Sequence, residues 1–173
     1  GQSGRWQICA EVAEFFLKCK AELQSRFPDF KIGFPAISAG AEGVVQLGRE
    51  RAFRADDQAF LEQAVAAVEA ADFLCLNATY RNDAELDEAI AHLKAMRQQQ
   101  HYKLLFITQF NNQQSGGSPQ AKGEQALRFY EACRQVPGVG AAFYYAISGP
   151  GLDDVALRME NGRLTPILTA LTR

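Results

Sequence analysis

The sequence predicts an α/β protein built on a parallel sheet. Three observations carry that expectation. Short apolar runs of strand length recur, at 31–37, 73–78, 104–110 and 141–147. The run Leu104-Leu105-Phe106-Ile107 shows no alternation, as a strand buried on both faces does. Between the runs, apolar residues return at helical spacing, and the resulting alternation of strand and helix implies right-handed crossovers. Two architectures fit: an open, flavodoxin-like sheet, or part of a (β/α)8 (TIM) barrel. A full barrel normally needs about 250 residues, and this chain has 173. One domain over 1–173 is expected, with Gly1-Gln2-Ser3-Gly4 as a flexible leader.

In order, Trp6-Gln7-Ile8-Cys9 is a short strand candidate. Val12, Phe15, Phe16, Cys19 and Leu23 then define the inner face of a first helix, which Phe27-Pro28-Asp29 ends. Lys31 to Ile37 is the next strand, and the glycine- and arginine-rich segment from Ser38 to Arg54 reads as a long functional loop. Phe60, Leu61, Ala64, Val65 and Val68 mark a second helix, followed by the strand Phe73 to Ala78. Asn82 and Glu85 form a capping box for a third helix, with Leu86, Ala89, Ile90, Leu93 and a snorkelling Arg97 inward. After Leu104–Phe110 and the polar loop 111–118, Ser118-Pro119 starts a fourth helix. That helix buries Ala126, Phe129, Tyr130 and Cys133. Ala141 to Ile147 is the last core strand; Val155 to Met159 extends, Asn161-Gly162 turns, and Thr165-Pro166 caps a short final helix.

Composition narrows the function classes. A net charge of −2 without a basic patch gives no reason to expect nucleic acid. No apolar run approaches the ~20 residues of a membrane span, and no secretory signal is present, which favours a cytoplasmic setting for the chain as given. Cys9, Cys19, Cys75 and Cys133 are far apart and read as buried thiols. Only His92 and His101 are available, so neither a metal site nor a Ser-His triad is expected. No glycine-rich phosphate loop follows a strand, and no cofactor is expected.

The strand ends carry a more specific signal. Trp6-Gln7-Ile8-Cys9-Ala10-Glu11, Phe27-Pro28-Asp29-Phe30-Lys31-Ile32-Gly33-Phe34-Pro35-Ala36, Asp72-Phe73-Leu74-Cys75-Leu76-Asn77, Phe106-Ile107-Thr108-Gln109-Phe110 and Gly138-Val139-Gly140-Ala141-Ala142-Phe143-Tyr144-Tyr145 follow one another along the chain. In that order they resemble strands four to eight of the retaining (β/α)8-barrel glycoside hydrolases of the cellulase-like and xylosidase-like clan. The resemblance implies the C-terminal portion of such a barrel, with strands one to three lacking a counterpart.

It also implies roles. Glu11 falls at the position of the general acid/base and Gln109 at that of the nucleophile in Ile-Thr-Glu-Phe. A retaining glycosidase needs two carboxyl groups about 5–5.5 Å apart, and a neutral amide cannot form the glycosyl-enzyme ester. Ala10 and Val12 replace the Asn and Pro that flank the family's acid/base, and Asn77 stands where a histidine is usual. The expectation is a catalytically inactive domain that retains weak carbohydrate binding through Asn77, Tyr80, Gln109, Asn111, Asn112, Tyr144 and Tyr145. Amides suit sugar hydroxyls and aromatics suit sugar C–H faces. Two alternatives stand beside it. One is an active retaining hydrolase, a fragment or a Glu→Gln variant, drawing a carboxylate from Glu42, Glu50, Asp56 or Asp153. The other is a half-barrel scaffold whose unpaired edges are covered by a homodimer partner or by a missing N-terminal barrel half.

Overall fold

The structure, a computed structural model, describes residues 9–38, 44–47, 50–53 and 61–172. Its elements are α1 (Cys9–Arg26), β1 (Gly33–Ser38), β2 (Val44–Leu47), β3 (Glu50–Phe53), α2 (Val65–Ala70), β4 (Phe73–Tyr80), α3 (Asp83–Gln99), β5 (Leu104–Asn112), α4 (Pro119–Gln135), β6 (Val139–Tyr144) and α5 (Pro166–Leu171). Four parallel strands, in the order β1-β4-β5-β6, make the sheet of an α/β fold. The chain divides into two compact units, Gly1–Leu74 and Cys75–Arg173.

In the first unit, α1 buries Ala13, Phe16 and the stem of Lys20, while Phe15 and Leu23 are exposed. The inner stripe is therefore rotated from the one expected. Phe16 meets Phe34 of β1 edge-on at 5.2 Å. The reason for the rotation is Lys20: its ammonium donates to Asp72 Oδ2 at 2.5 Å, and the same oxygen accepts from the Ile32 amide at 2.8 Å. That carboxylate ties α1 to the start of β1. The Ile32 amide and then the Lys20 ammonium hold the Asp72 carboxyl below its ordinary range. Of the expected first strand, Trp6 to Ile8 lie outside the described residues and Cys9 opens α1. The segment expected as one long loop contains the antiparallel pair β2–β3, with Val44 opposite Phe53 and Leu47 opposite Glu50. Phe60 lies outside the described residues; Leu61, Ala64, Ala67 and Val68 are buried, and Val65 is exposed.

In the second unit, the capping box at α3 forms with a shift. Asn82 Oδ1 accepts from the Glu85 amide at 3.0 Å, but the Glu85 carboxylate accepts from the Arg81 amide, one residue earlier than in the usual box. Leu86, Ala89, Leu93 and Met96 are buried. Arg97 does not snorkel. Its guanidinium donates to the carbonyls of His101, at 2.7 Å, and Lys103, at 2.6 Å, closing the turn between α3 and β5. It also lies beneath Gly138, where φ is 85° and a Cβ would sit 2.5 Å from Arg97 Cζ. Only glycine satisfies both the backbone and the ring of space there.

Ser118 caps α4 as expected, accepting from the Ala121 amide at 3.4 Å. Ala126, Phe129 and Cys133 face the core, whereas Tyr130 is exposed. The final helix is present, but Thr165 makes no side-chain cap; its hydroxyl donates to the Ala156 carbonyl at 2.8 Å. Val155 to Met159 is not a strand, contributing only an isolated bridge between Arg158 and Leu164 around the Asn161-Gly162 turn.

The expectation that β5 is buried on both faces fails. Leu105 and Ile107 are buried, but Leu104 is 51% exposed and Thr108 is exposed as well. Among the described residues, α4 packs against one face of β5. Phe110 packs its ring, tilted, against Phe129 of α4 at 5.3 Å and meets Tyr144 of β6 edge-on at 5.5 Å. Phe143 and Tyr145, flanking Tyr144, point the other way and are exposed. A continuous apolar run signals two buried faces only when something covers both.

Candidate functional site

The site expected from the sequence lies toward the C-terminal ends of β4, β5 and β6. Its central feature is a break in the β5–β6 register. Ile107 pairs with Ala142 and Phe110 with Tyr144, so β5 takes three residue steps where β6 takes two. The extra residue falls at Thr108-Gln109. Such a bulge reverses which residues face the helices. Before it the buried residues are Leu105 and Ile107; after it Phe110 makes the contact with Phe129. Gln109 sits in the bulge, half-buried. Beside it the Thr108 hydroxyl donates to Asn77 Oδ1 at 2.9 Å and lies 3.3 Å from the Leu76 carbonyl, which joins β5 to β4.

The other expected contact residues separate into two groups. Tyr80, Asn111 and Asn112 are interior. Tyr80 is 1% exposed, with its ring against Phe129 at 6.1 Å. Asn112 donates to the Arg81 carbonyl at 3.2 Å and to Gln125 Oε1 at 2.6 Å, and accepts from the Gln114 amide at 2.7 Å. Gln125 continues to Asp83 at 3.1 Å, and Arg128 joins Asp83 and Asp87. This polar chain binds the end of β5 to α3 and α4. Tyr144 is half-buried, its hydroxyl donating to the Val155 carbonyl at 2.8 Å. Burial, with smaller contributions from Tyr144 and Cys133, pushes the Tyr80 phenol well up, and burial pushes Tyr144 to about 12. Both phenols stay neutral at physiological pH; the Tyr144 hydroxyl is bonded, whereas the buried Tyr80 hydroxyl meets no hydrogen-bond partner among the described residues. Asn77, Gln109 and Tyr145 keep surface open to a ligand.

Glu11 occupies the first turn of α1, where the helix dipole favours a carboxylate, and is exposed. It belongs to the N-terminal unit and Gln109 to the C-terminal one. Glu42 and Asp56 lie outside the described residues, and Asp153 accepts from the Glu160 amide at 2.8 Å as a turn cap. Among the described residues no group of three or more His, Cys, Asp or Glu side chains could hold a metal ion. Burial raises the Cys75 thiol and pushes Cys133 to about 12, so neither is a thiolate near neutrality.

Sequence reasoning missed Lys122. It is buried in α4, and its ammonium donates to the Asp154 carbonyl at 3.0 Å, 3.6 Å from the Asp154 carboxylate. The signal was present: Lys122 precedes Ala126, Phe129 and Cys133 at helical spacing on an otherwise apolar face.

The parallel sheet and its alternating helices define an α/β fold. Comparison with solved structures gives it a closer frame. A GH128 (subgroup IV) endo-β-1,3-glucanase from Lentinula edodes matches 94% of this chain and 63% of its own, with a TM-score of 0.64 at 16% identity. A GH128 (subgroup VI) exo-β-1,3-glucanase from Aureobasidium namibiae matches 91% of this chain and 58% of its own, with a TM-score of 0.66 at 13% identity. The agarase AgWH50C matches 95% of this chain and 25% of its own, at 13% identity and a TM-score of 0.63. The chain spans 58% to 63% of the length of these two glucanases, and the fold is that of a partial barrel. At these identities the likeness is one of fold. No family model and no curated protein sequence matches the chain.

Proposed function

We propose that this chain is a glycoside-hydrolase-like domain that binds carbohydrate at the C-terminal ends of its strands and does not cleave it. One observation carries the proposal: the half-buried position in the β5 bulge, beside Thr108 and Asn77, is filled by the amide of Gln109. An amide donates and accepts hydrogen bonds, as sugar hydroxyls require, and supplies no nucleophile. Asn77 and Tyr145 complete the recognition surface. Glu11 has no part in cleavage on this reading and acts as a first-turn helix residue. The buried Tyr80, Asn111 and Asn112, together with the bonded Tyr144, support the site from within.

The ligand class to try is a β-1,3-linked gluco-oligosaccharide, on which the glucanase neighbours act. The expected result is weak, saturable chemical-shift change at Asn77, Gln109 and Tyr145, lost in Gln109→Ala, with nitrophenyl glucoside hydrolysis at the buffer rate. Hydrolysis above buffer sinks the non-catalytic reading. Equal binding by wild type and Gln109→Ala sinks the assignment of the site.

A second reading rests on exposed apolar side chains at the end of β6: Phe143 is 54% exposed and Ile147, just beyond β6, is 74% exposed. Apolar side chains in such a row need a cover. The chain on this reading is one portion of a barrel, closed by further βα units or by a second copy. A monomer in light scattering, from a gene that encodes no further strands, overturns it.

A further inference from the structure

We infer that the segment 113–118 is a hinged flap at the end of β5, held shut by the Asp154 carboxylate, with the buried Lys122 as the post that fixes Asp154. The flap's two ends are tied down. At the start, the Gln113 amide donates to the Tyr80 carbonyl at 2.8 Å and the Gln114 amide to Asn112 Oδ1 at 2.7 Å. At the far end Ser118 caps α4. Between them lie Gly116 and Gly117, with φ of 72° and 81°. A Cβ on Gly116 would meet nothing within 4 Å, so glycine stands there for its backbone freedom and not for want of room. Two adjacent residues of that kind form a hinge.

The middle of the flap is held by a bond from the Gly116 amide to Asp154 Oδ2, at 2.9 Å. Asp154 comes from the segment after β6 and is itself braced on both sides. Its carbonyl accepts from Lys122, and the next carbonyl, that of Val155, accepts from the Tyr144 hydroxyl. Lys122 is an unusual choice for its place. It is buried in the first turn of α4, where the helix dipole disfavours a cation. A buried ammonium persists only where it is paired, and here its partners are the carbonyl and carboxylate of Asp154. The clasp thus couples the segments that follow β5, which carries Gln109, and β6, which Tyr145 directly follows. Releasing it frees the flap while the sheet and α4 remain intact. This inference is independent of whether a sugar binds.

The test is amide hydrogen exchange by NMR on the full chain. In wild type the Gly116 amide is protected. In Asp154→Ala, exchange at Gly116 rises about ten-fold or more, as expected on losing a hydrogen bond to a charged acceptor. Leu105, Ile107, Ala126 and Phe129 keep their wild-type exchange. Lys122→Met, which retains the apolar stem, also speeds exchange at Gly116; should that variant fold poorly, Asp154→Asn serves in its place and gives an intermediate rate. An unprotected Gly116 amide in the wild type overturns the clasp. So does Asp154→Ala if it leaves Gly116 unchanged or speeds the sheet amides equally.

Discussion

Replacing Gly123 by alanine sets two physical effects against each other. Gly123 is an interior residue of α4, where alanine is better than glycine by about 1 kcal/mol. Helix propensity alone therefore predicts a more stable protein. The packing predicts the reverse. A Cβ at Gly123 would sit 2.6 Å from Ala170 Cβ, 2.7 Å from the Ile167 carbonyl oxygen and 2.9 Å from Ile167 Cα. Ordinary carbon contacts are about 3.5–4.0 Å, so α5 would have to retreat by roughly 1 Å. Two of the three obstructing atoms are backbone and cannot swing aside, which puts the overpacking cost at the upper part of the usual range of about 1–3 kcal/mol. Net, Gly123→Ala should lose about 1–2 kcal/mol. At about 2–4 °C per kcal/mol for a chain of this size, thermal denaturation followed by circular dichroism resolves the difference. Ala170→Gly in the same chain removes one of the three clashes and should restore part of the loss. A Gly123→Ala protein more stable than wild type would refute the close approach of α4 and α5.

Asn112→Ala removes three hydrogen bonds at a buried position and takes a partner from Gln125 Oε1, the Arg81 carbonyl and the Gln114 amide; a loss of about 2–3 kcal/mol in chemical denaturation is expected, and a change under half that would mean the polar chain is not intact. The lowered Asp72 carboxyl makes a pH-dependent contribution. Because its folded pKa lies below the ordinary 3.8, the stabilisation is complete above that value and disappears as pH falls through the lower folded one. Wild type should therefore lose stability on acidification more steeply than Asp72→Asn, and parallel pH profiles would remove the role given to the Lys20–Asp72–Ile32 contacts.

The parts of the fold that the sequence revealed are those dictated by local chemistry. Ser118-Pro119, Asn82 with Glu85 and the alternation of apolar runs with amphipathic segments each produce their element through neighbours a few residues away. What the sequence hid depends on distant partners. The inner stripe of α1 is set by Lys20 reaching Asp72, fifty-two positions along. Leu104–Phe110 reads as a doubly buried strand because hydrophobicity reports a demand for cover and does not say whether the cover is present. At the candidate site, residue type pointed to amides and aromatics, but the bulge that sorts them between the open face and the interior appears only in the register of two strands. Tyr80 and Asn112 look, in a one-dimensional chain, as available as Tyr145.

Arg97 bears on how this molecule can change over time. By gripping two carbonyls of the α3–β5 turn and filling the space under Gly138, it fastens the connections that precede β5 and β6. In barrel proteins that end of the strands serves stability and the opposite end serves function. Mutations, insertions or grafted sequences in 100–103 or 136–138 must keep one guanidinium satisfied and so are narrowly constrained. In the segment 113–118 the ties run through backbone amides, the two glycines and the Ser118 cap, so the side chains of Gln113, Gln114 and Ser115 carry no such burden. Diversity introduced there by a library, or by descent, can search for new ligands while the foundation beneath it is left undisturbed.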